Sequence, residues 1–114
     1  MTEAVRIGRL PLAATSDYIL NETATILGRR KGFGPSNAAR AVSLILASPR
    51  VFTVYLDEPL FKECMKQYPA FKGKLGVTDV SSVVVMKKYG IKEIYSHDSD
   101  FDSVAGISRS VELK

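Results

Sequence analysis

Short apolar runs alternate with stretches carrying helix start and stop signals along almost the whole of this chain, and no other feature narrows its folding choices as much. The run at 10–15 leads directly into Ser16 and Asp17, a cap residue followed by a first-turn acid, so a strand is expected to feed a helix. That helix should cover about 17–30. Leu20, Ala24 and Leu27 share one face, Arg29, Arg30 and Lys31 lie where cations favour the C-terminal dipole, and Gly32 and Gly34 end the pattern. Pro35 and Ser36 open a second helix with Ala39, Val42 and Leu46 as its buried stripe, closed by Ser48 and Pro49. A strand follows at 51–56. Asp57, Glu58 and Pro59 then start a helix whose apolar side is Leu60, Phe61, Cys64, Met65 and Tyr68, and Pro69 stops it.

The stretch after the loop at 71–77 admits two readings. Val80, Val83, Val84 and Val85 are β-branched and suit a strand, yet Val80 and Val84 also keep helical spacing. Thr78 and Asp79 before them read as a cap and a first-turn acid, and Lys87, Lys88 and Gly90 after them as a helix C-terminus. Together they favour helix. A strand at 91–96, a polar and acidic turn region at 97–106 and a short edge strand at 108–113 complete the chain. Such alternation implies crossover units, hence an α/β three-layer sandwich with a parallel sheet flanked by helices.

A chain of 114 residues suits a single domain, 1–114, and its 46% hydrophobic and 25% charged content excludes wholesale disorder. Sixteen Lys and Arg against twelve Asp and Glu leave a net charge of +4, which suits a polyanionic partner such as nucleic acid. The lone cysteine, Cys64, allows no internal disulfide and no thiolate zinc site, and reads as a small core residue suited to a reducing cytoplasm. No run approaches the roughly 18–20 apolar residues that cross a bilayer, so no membrane role is expected.

In parallel sheets, ligands gather beyond the carboxyl ends of strands. That rule selects Glu22 in the helix after the first strand, Asp79 at the head of the Val-rich helix, and Asp98, Asp100 and Asp102 after the strand at 91–96. Clustered carboxylates repel one another unless a cation neutralises them. Oxygen donors without His or Cys select a hard ion, Mg²⁺ or Mn²⁺. Such an ion can orient a phosphodiester and lower the pKa of an attacking water. Read without a ligand, each acid is an ordinary cap or surface group. Asp102, near Gly106, is the least informative of them, and His97, outside any His cluster, reads as a turn residue.

Three segments in order, Ser16-Asp17-Tyr18-Ile19-Leu20-Asn21-Glu22-Thr23, Thr78-Asp79-Val80-Ser81-Ser82 and Ser96-His97-Asp98-Ser99-Asp100-Phe101-Asp102 with Ala105-Gly106-Ile107 behind, resemble the PIN-domain ribonucleases and in particular VapC-like toxins. The resemblance covers nearly the whole chain. It implies a PIN-like fold and a metal-dependent endoribonuclease whose hydrolysis leaves a 5′-phosphate, in a toxin–antitoxin pair. Glu22, Asp79 and Asp98 would be the catalytic, metal-site acids, with Asp100 as a helper, and Thr78 would orient Asp79 or a water. Arg29, Arg30 and Lys31 would hold the RNA backbone, and RNA, an antitoxin and a second copy of the chain in a homodimer are the implied partners.

Family members begin with a hydrophobic strand ending in Asp, followed by a helix, and 1–9 contains no such strand, with Glu3 a poor substitute for that acid. An N-terminally truncated member is therefore expected, its activity impaired by loss of the first-strand Asp. The gap would be closed by pairing of the strands at 10–15 and 91–96, or by a partner chain. The alternative function is a non-catalytic PIN-fold protein that binds RNA or an antitoxin.

Overall fold

The computed structural model describes residues 13–111. It divides into two compact units, Met1–Leu56 and Asp57–Lys114. The expectations for 1–12 and for the end of the last strand lie outside the described residues.

In the first unit, β1 (Ala13–Ser16) runs directly into α1 (Asp17–Gly28). Ser16 is extended and buried, and its hydroxyl oxygen accepts the Ile19 N–H at 3.2 Å, satisfying one of the donors that a helix start leaves open. Asp17 is turned to a different task. Its Oδ1 accepts the backbone N–H of Leu56 at 3.0 Å, tying the head of α1 to the chain that leaves β2 (Val51–Val54). Ser16→Ala should lower stability by about 1 kcal/mol in urea unfolding, the usual worth of such a cap. No change in midpoint would show that the cap is dispensable.

A turn through Gly32, whose φ of +84° suits only glycine, leads to α2 (Gly34–Ala47). The two helices pack where Gly28 faces Pro35 and Ala38. A Cβ at 28 would lie 3.6 Å from the Pro35 Cα, so the small side chains set how near the helices approach. The buried face of α2 differs from the expected stripe: Ala38 is buried, Val42 and Ile45 are half-buried, and Ala39 and Leu46 are exposed. Contact through Gly28 and Ala38 turns the helix so that 38, 42 and 45 point inward. β2 then pairs parallel with β1, from Ala13 opposite Val51 to Ser16 opposite Val54.

In the second unit, Asp57 caps α3 (Glu58–Gln67), its Oδ1 accepting the Leu60 N–H at 3.0 Å. Leu60 and Cys64 are the buried residues of α3, as expected for Cys64. At Pro69 the chain tightens into a 3-10 turn, Tyr68–Phe71, rather than simply ending the helix. The next helix, α4 (Val77–Tyr89), confirms the helical reading of the Val-rich stretch. Every residue from Val80 to Met86 is buried, so α4 is enclosed on all sides and burial overrides the β-branched preference for strand. Gly90, left-handed at φ 70°, closes it.

One expected detail fails here: the cap is Gly76 with no side-chain bond, and Thr78 lies inside the first turn, its carbonyl accepting the Ser81 hydroxyl at 2.5 Å. β3 (Glu93–Tyr95) and β4 (Ser108–Ser110) pair parallel, Ile94 opposite Arg109, with a 3-10 helix at Ser99–Ser103 between them. The described strands thus form two separate two-stranded parallel sheets, β1 with β2 and β3 with β4. The expected pairing of the strands at 10–15 and 91–96 is not found among the described residues, where β1 pairs with β2 and β3 with β4.

Candidate functional site

Glu22 sits midway along α1 and is exposed. Its place deep in the helix gives it no capping task. Arg29, Arg30 and Lys31 follow α1 in the exposed turn toward α2. Arg29 closes the helix with its N–H on the Thr25 carbonyl at 3.2 Å. The three cations therefore project from a turn with fixed backbone. A shallow, mainly apolar cleft beside them is lined by Ala24, Gly28, Arg29, Pro35 and Ala38.

Asp79 stands in the first turn of α4 and is half-buried, where the helix dipole favours its negative charge. Asp98 and Asp100 are exposed in the segment after β3. Asp98 caps the 3-10 helix: its Oδ1 accepts the Asp100 N–H at 2.9 Å, while its own N–H donates to the Ser96 hydroxyl oxygen at 3.0 Å. The Asp100 carbonyl accepts the Ser103 hydroxyl at 2.9 Å. His97 is exposed, as expected of a turn residue.

Asp102 is more than a turn residue. Arg109 Nε donates to its Oδ1 at 2.9 Å and Nη2 to its Oδ2 at 3.1 Å, a two-pronged pair. These hydrogen bonds from Arg109, aided by its charge, hold the Asp102 carboxyl below the usual carboxylate range. The same bonds push the Arg109 guanidinium up, with the charge of Asp98 adding to that of Asp102. Sequence reading missed Arg109, because a pair seven residues apart across a turn follows no helical or strand period.

Cys64 is fully buried. Burial pushes its thiol up, the Glu63 charge adds to that, and a backbone hydrogen bond opposes it. Alkylation of the folded chain should be at least about 100-fold slower than in urea, because it must wait for an opening. Equal rates would show that the α3 face is not closed.

Among the described residues, no three His, Cys, Asp or Glu side chains gather in a group that could hold a metal ion. The fold described therefore contains no ready-made three-acid cage, and two of the acids are visibly engaged elsewhere: Asp98 on its own segment and Asp102 on Arg109. The donor chemistry still suits a hard ion. Mg²⁺ characteristically keeps several waters and takes one or two carboxylates plus substrate phosphate, which half-buried Asp79 and the exposed Asp98, Asp100 and Glu22 can supply in kind.

A sequence profile of the PIN domain matches residues 2–107. The 23S rRNA-specific endonuclease VapC20 of Mycobacterium tuberculosis, strains CDC 1551 / Oshkosh and H37Rv alike, is 33% identical over 97 residues, or 84% of this chain and 71% of the relative. The crystal structure of M. tuberculosis VapC20, a sarcin-ricin loop cleaving toxin, matches with a TM-score of 0.74 at 26% identity, covering 92% of this chain and 79% of that one. The motif order, the α/β elements and both kinds of likeness agree, and the chain belongs to the PIN-domain family, in which it is VapC-like.

Proposed function

We propose that this chain is a metal-dependent endoribonuclease of the VapC toxin type, a single PIN-like domain that hydrolyses RNA phosphodiester bonds. The observation that carries the reading is the likeness to VapC20, an rRNA endonuclease, over 97 residues. Glu22, Asp79 and Asp98 are its metal-site and catalytic acids, with Asp100 as a helper, and Mg²⁺ or Mn²⁺ is the ion. When bound, such an ion neutralises charge on the phosphate and lowers the pKa of water.

The chain's own residues supply the rest. Asp79 stands in the first turn of α4, and Thr78 beside it would orient Asp79 or a water in this reading. Arg29, Arg30 and Lys31, projecting from one turn, bind the RNA backbone through its phosphates. Exposed Ile26, Leu44 and Leu46 offer apolar surface to an antitoxin or to a second copy in a homodimer. No helix among the described residues is long and apolar enough to cross a membrane, and this reading places the work on RNA in the cytoplasm.

Incubation of the purified chain with 23S rRNA and Mn²⁺ should give discrete fragments bearing 5′-phosphates, and a chelator should prevent them. Intact rRNA under saturating Mn²⁺ would reject this reading. A second reading is favoured by the lack of a three-acid group among the described residues: a non-catalytic PIN-fold protein that binds RNA or an antitoxin. It requires RNA binding that neither Mn²⁺ nor a chelator alters.

A further inference from the structure

We propose that Arg109 is a positioning residue for the acidic segment from Ser96 to Asp102, holding Asp98 and Asp100 in the arrangement in which they meet a cation. This rests on the metal-site reading of Asp98 given above. The ladder between β3 and β4 extends one step past β3, with the Ser96 N–H donating to the Ser110 carbonyl at 3.0 Å, so the chain leaves the sheet at Ser96. Arg109 Nη1 donates to the Ser96 carbonyl at 3.2 Å, while Nε and Nη2 of the same guanidinium take both oxygens of Asp102. One rigid, planar group therefore holds both ends of 97–101, and Asp98 and Asp100 lie between the ends.

Phe101 and Val104 are buried and fix the back of the 3-10 helix, but Asp98 and Asp100 are exposed, and their bonds to Ser96 and to each other compete with water. The Arg109 side chain is only 20% exposed, and its two-pronged geometry is the kind that Lys does not reproduce. An exposed ion pair contributes little to stability, so the consequence to look for is in the order of the segment rather than in unfolding.

Charge and positioning make opposite forecasts for Arg109→Gln. Removing a cation from the neighbourhood of Asp98 should, by Coulomb attraction alone, tighten binding of a metal ion. Loss of positioning should loosen it, by about tenfold, as is usual when a residue orienting a metal ligand is removed. The test uses the full chain, with Arg109→Lys as the conservative partner variant. In the metal-free protein, ¹⁵N relaxation of the Asp98 and Asp100 amides reads the order of the segment independently of any metal, and calorimetric titration with Mn²⁺ alone reads affinity.

The inference expects lower heteronuclear NOE values at both amides and about tenfold weaker Mn²⁺ binding in both variants, with amide spectra elsewhere unchanged. Unchanged relaxation, or unchanged or tighter Mn²⁺ binding in a variant beside a wild type that binds, overturns it while leaving the metal-site reading intact. A wild-type chain that takes up no Mn²⁺ overturns the metal-site reading itself, and the positioning role falls with it.

Discussion

Asp79→Asn is expected to reduce metal-dependent RNA cleavage by about 10–100-fold. The substitution keeps the shape of the side chain and removes its charge. Hard divalent ions bind anionic oxygen far better than an amide, so the effect should fall on the metal-dependent step. Asp79 lies in the first turn of α4, where a negative charge is worth about 1 kcal/mol or less through the helix dipole. Cleavage of 23S rRNA at fixed Mn²⁺, measured beside thermal unfolding, separates the two effects. An unchanged rate would mean that Asp79 has no part in the chemistry, or that the cleavage belongs to a contaminating nuclease.

Leu75→Ala should lower stability by about 2–5 kcal/mol. Leu75 is 1% exposed and precedes α4, so deleting its side chain removes buried contact and leaves a cavity at the helix head. Domains of this size hold only about 5–15 kcal/mol in total, so the urea midpoint should fall steeply, with activity per folded molecule kept. Leu44→Ala is the control. Leu44 is 69% exposed, and its loss should change stability by less than about 0.5 kcal/mol. Similar losses for both variants would contradict the burial described for Leu75.

Most helices were legible because their ends carry chemistry. Ser16 and Asp57 cap through side-chain oxygens, and Gly90 closes α4 in the left-handed conformation. The Val-rich stretch read correctly as helix because its termini outweighed its β-branched interior. Where a cap is made by backbone alone, as at Gly76, the sequence pointed instead to Thr78, a residue of the right type two places too late. The inward face of α2 was misjudged because it depends on how Gly28 and Ala38 meet, a property of two helices together.

Strand partners were the least legible. Parallel pairing joins segments far apart in sequence, and nothing local in the residues at 91–96 says that β4 will lie beside them. The acids were visible as a pattern, but the uses to which the fold puts them were not. Asp17 is the first-turn acid it reads as but also holds the Leu56 N–H, and Asp102, read as a turn residue, binds Arg109. Family likeness supplied what spacing could not. The match to the PIN domain and to VapC20 gives the family, and the roles proposed for the scattered carboxylates rest on that likeness.

Calorimetric titration of the full chain with Mn²⁺, repeated for Glu22→Gln, Asp79→Asn and Asp98→Asn, tests the proposed metal site most directly. The expected result is saturable binding by the wild-type chain, weakened by about tenfold or more in each variant. Equal binding by all four proteins, or none by any of them, would contradict it.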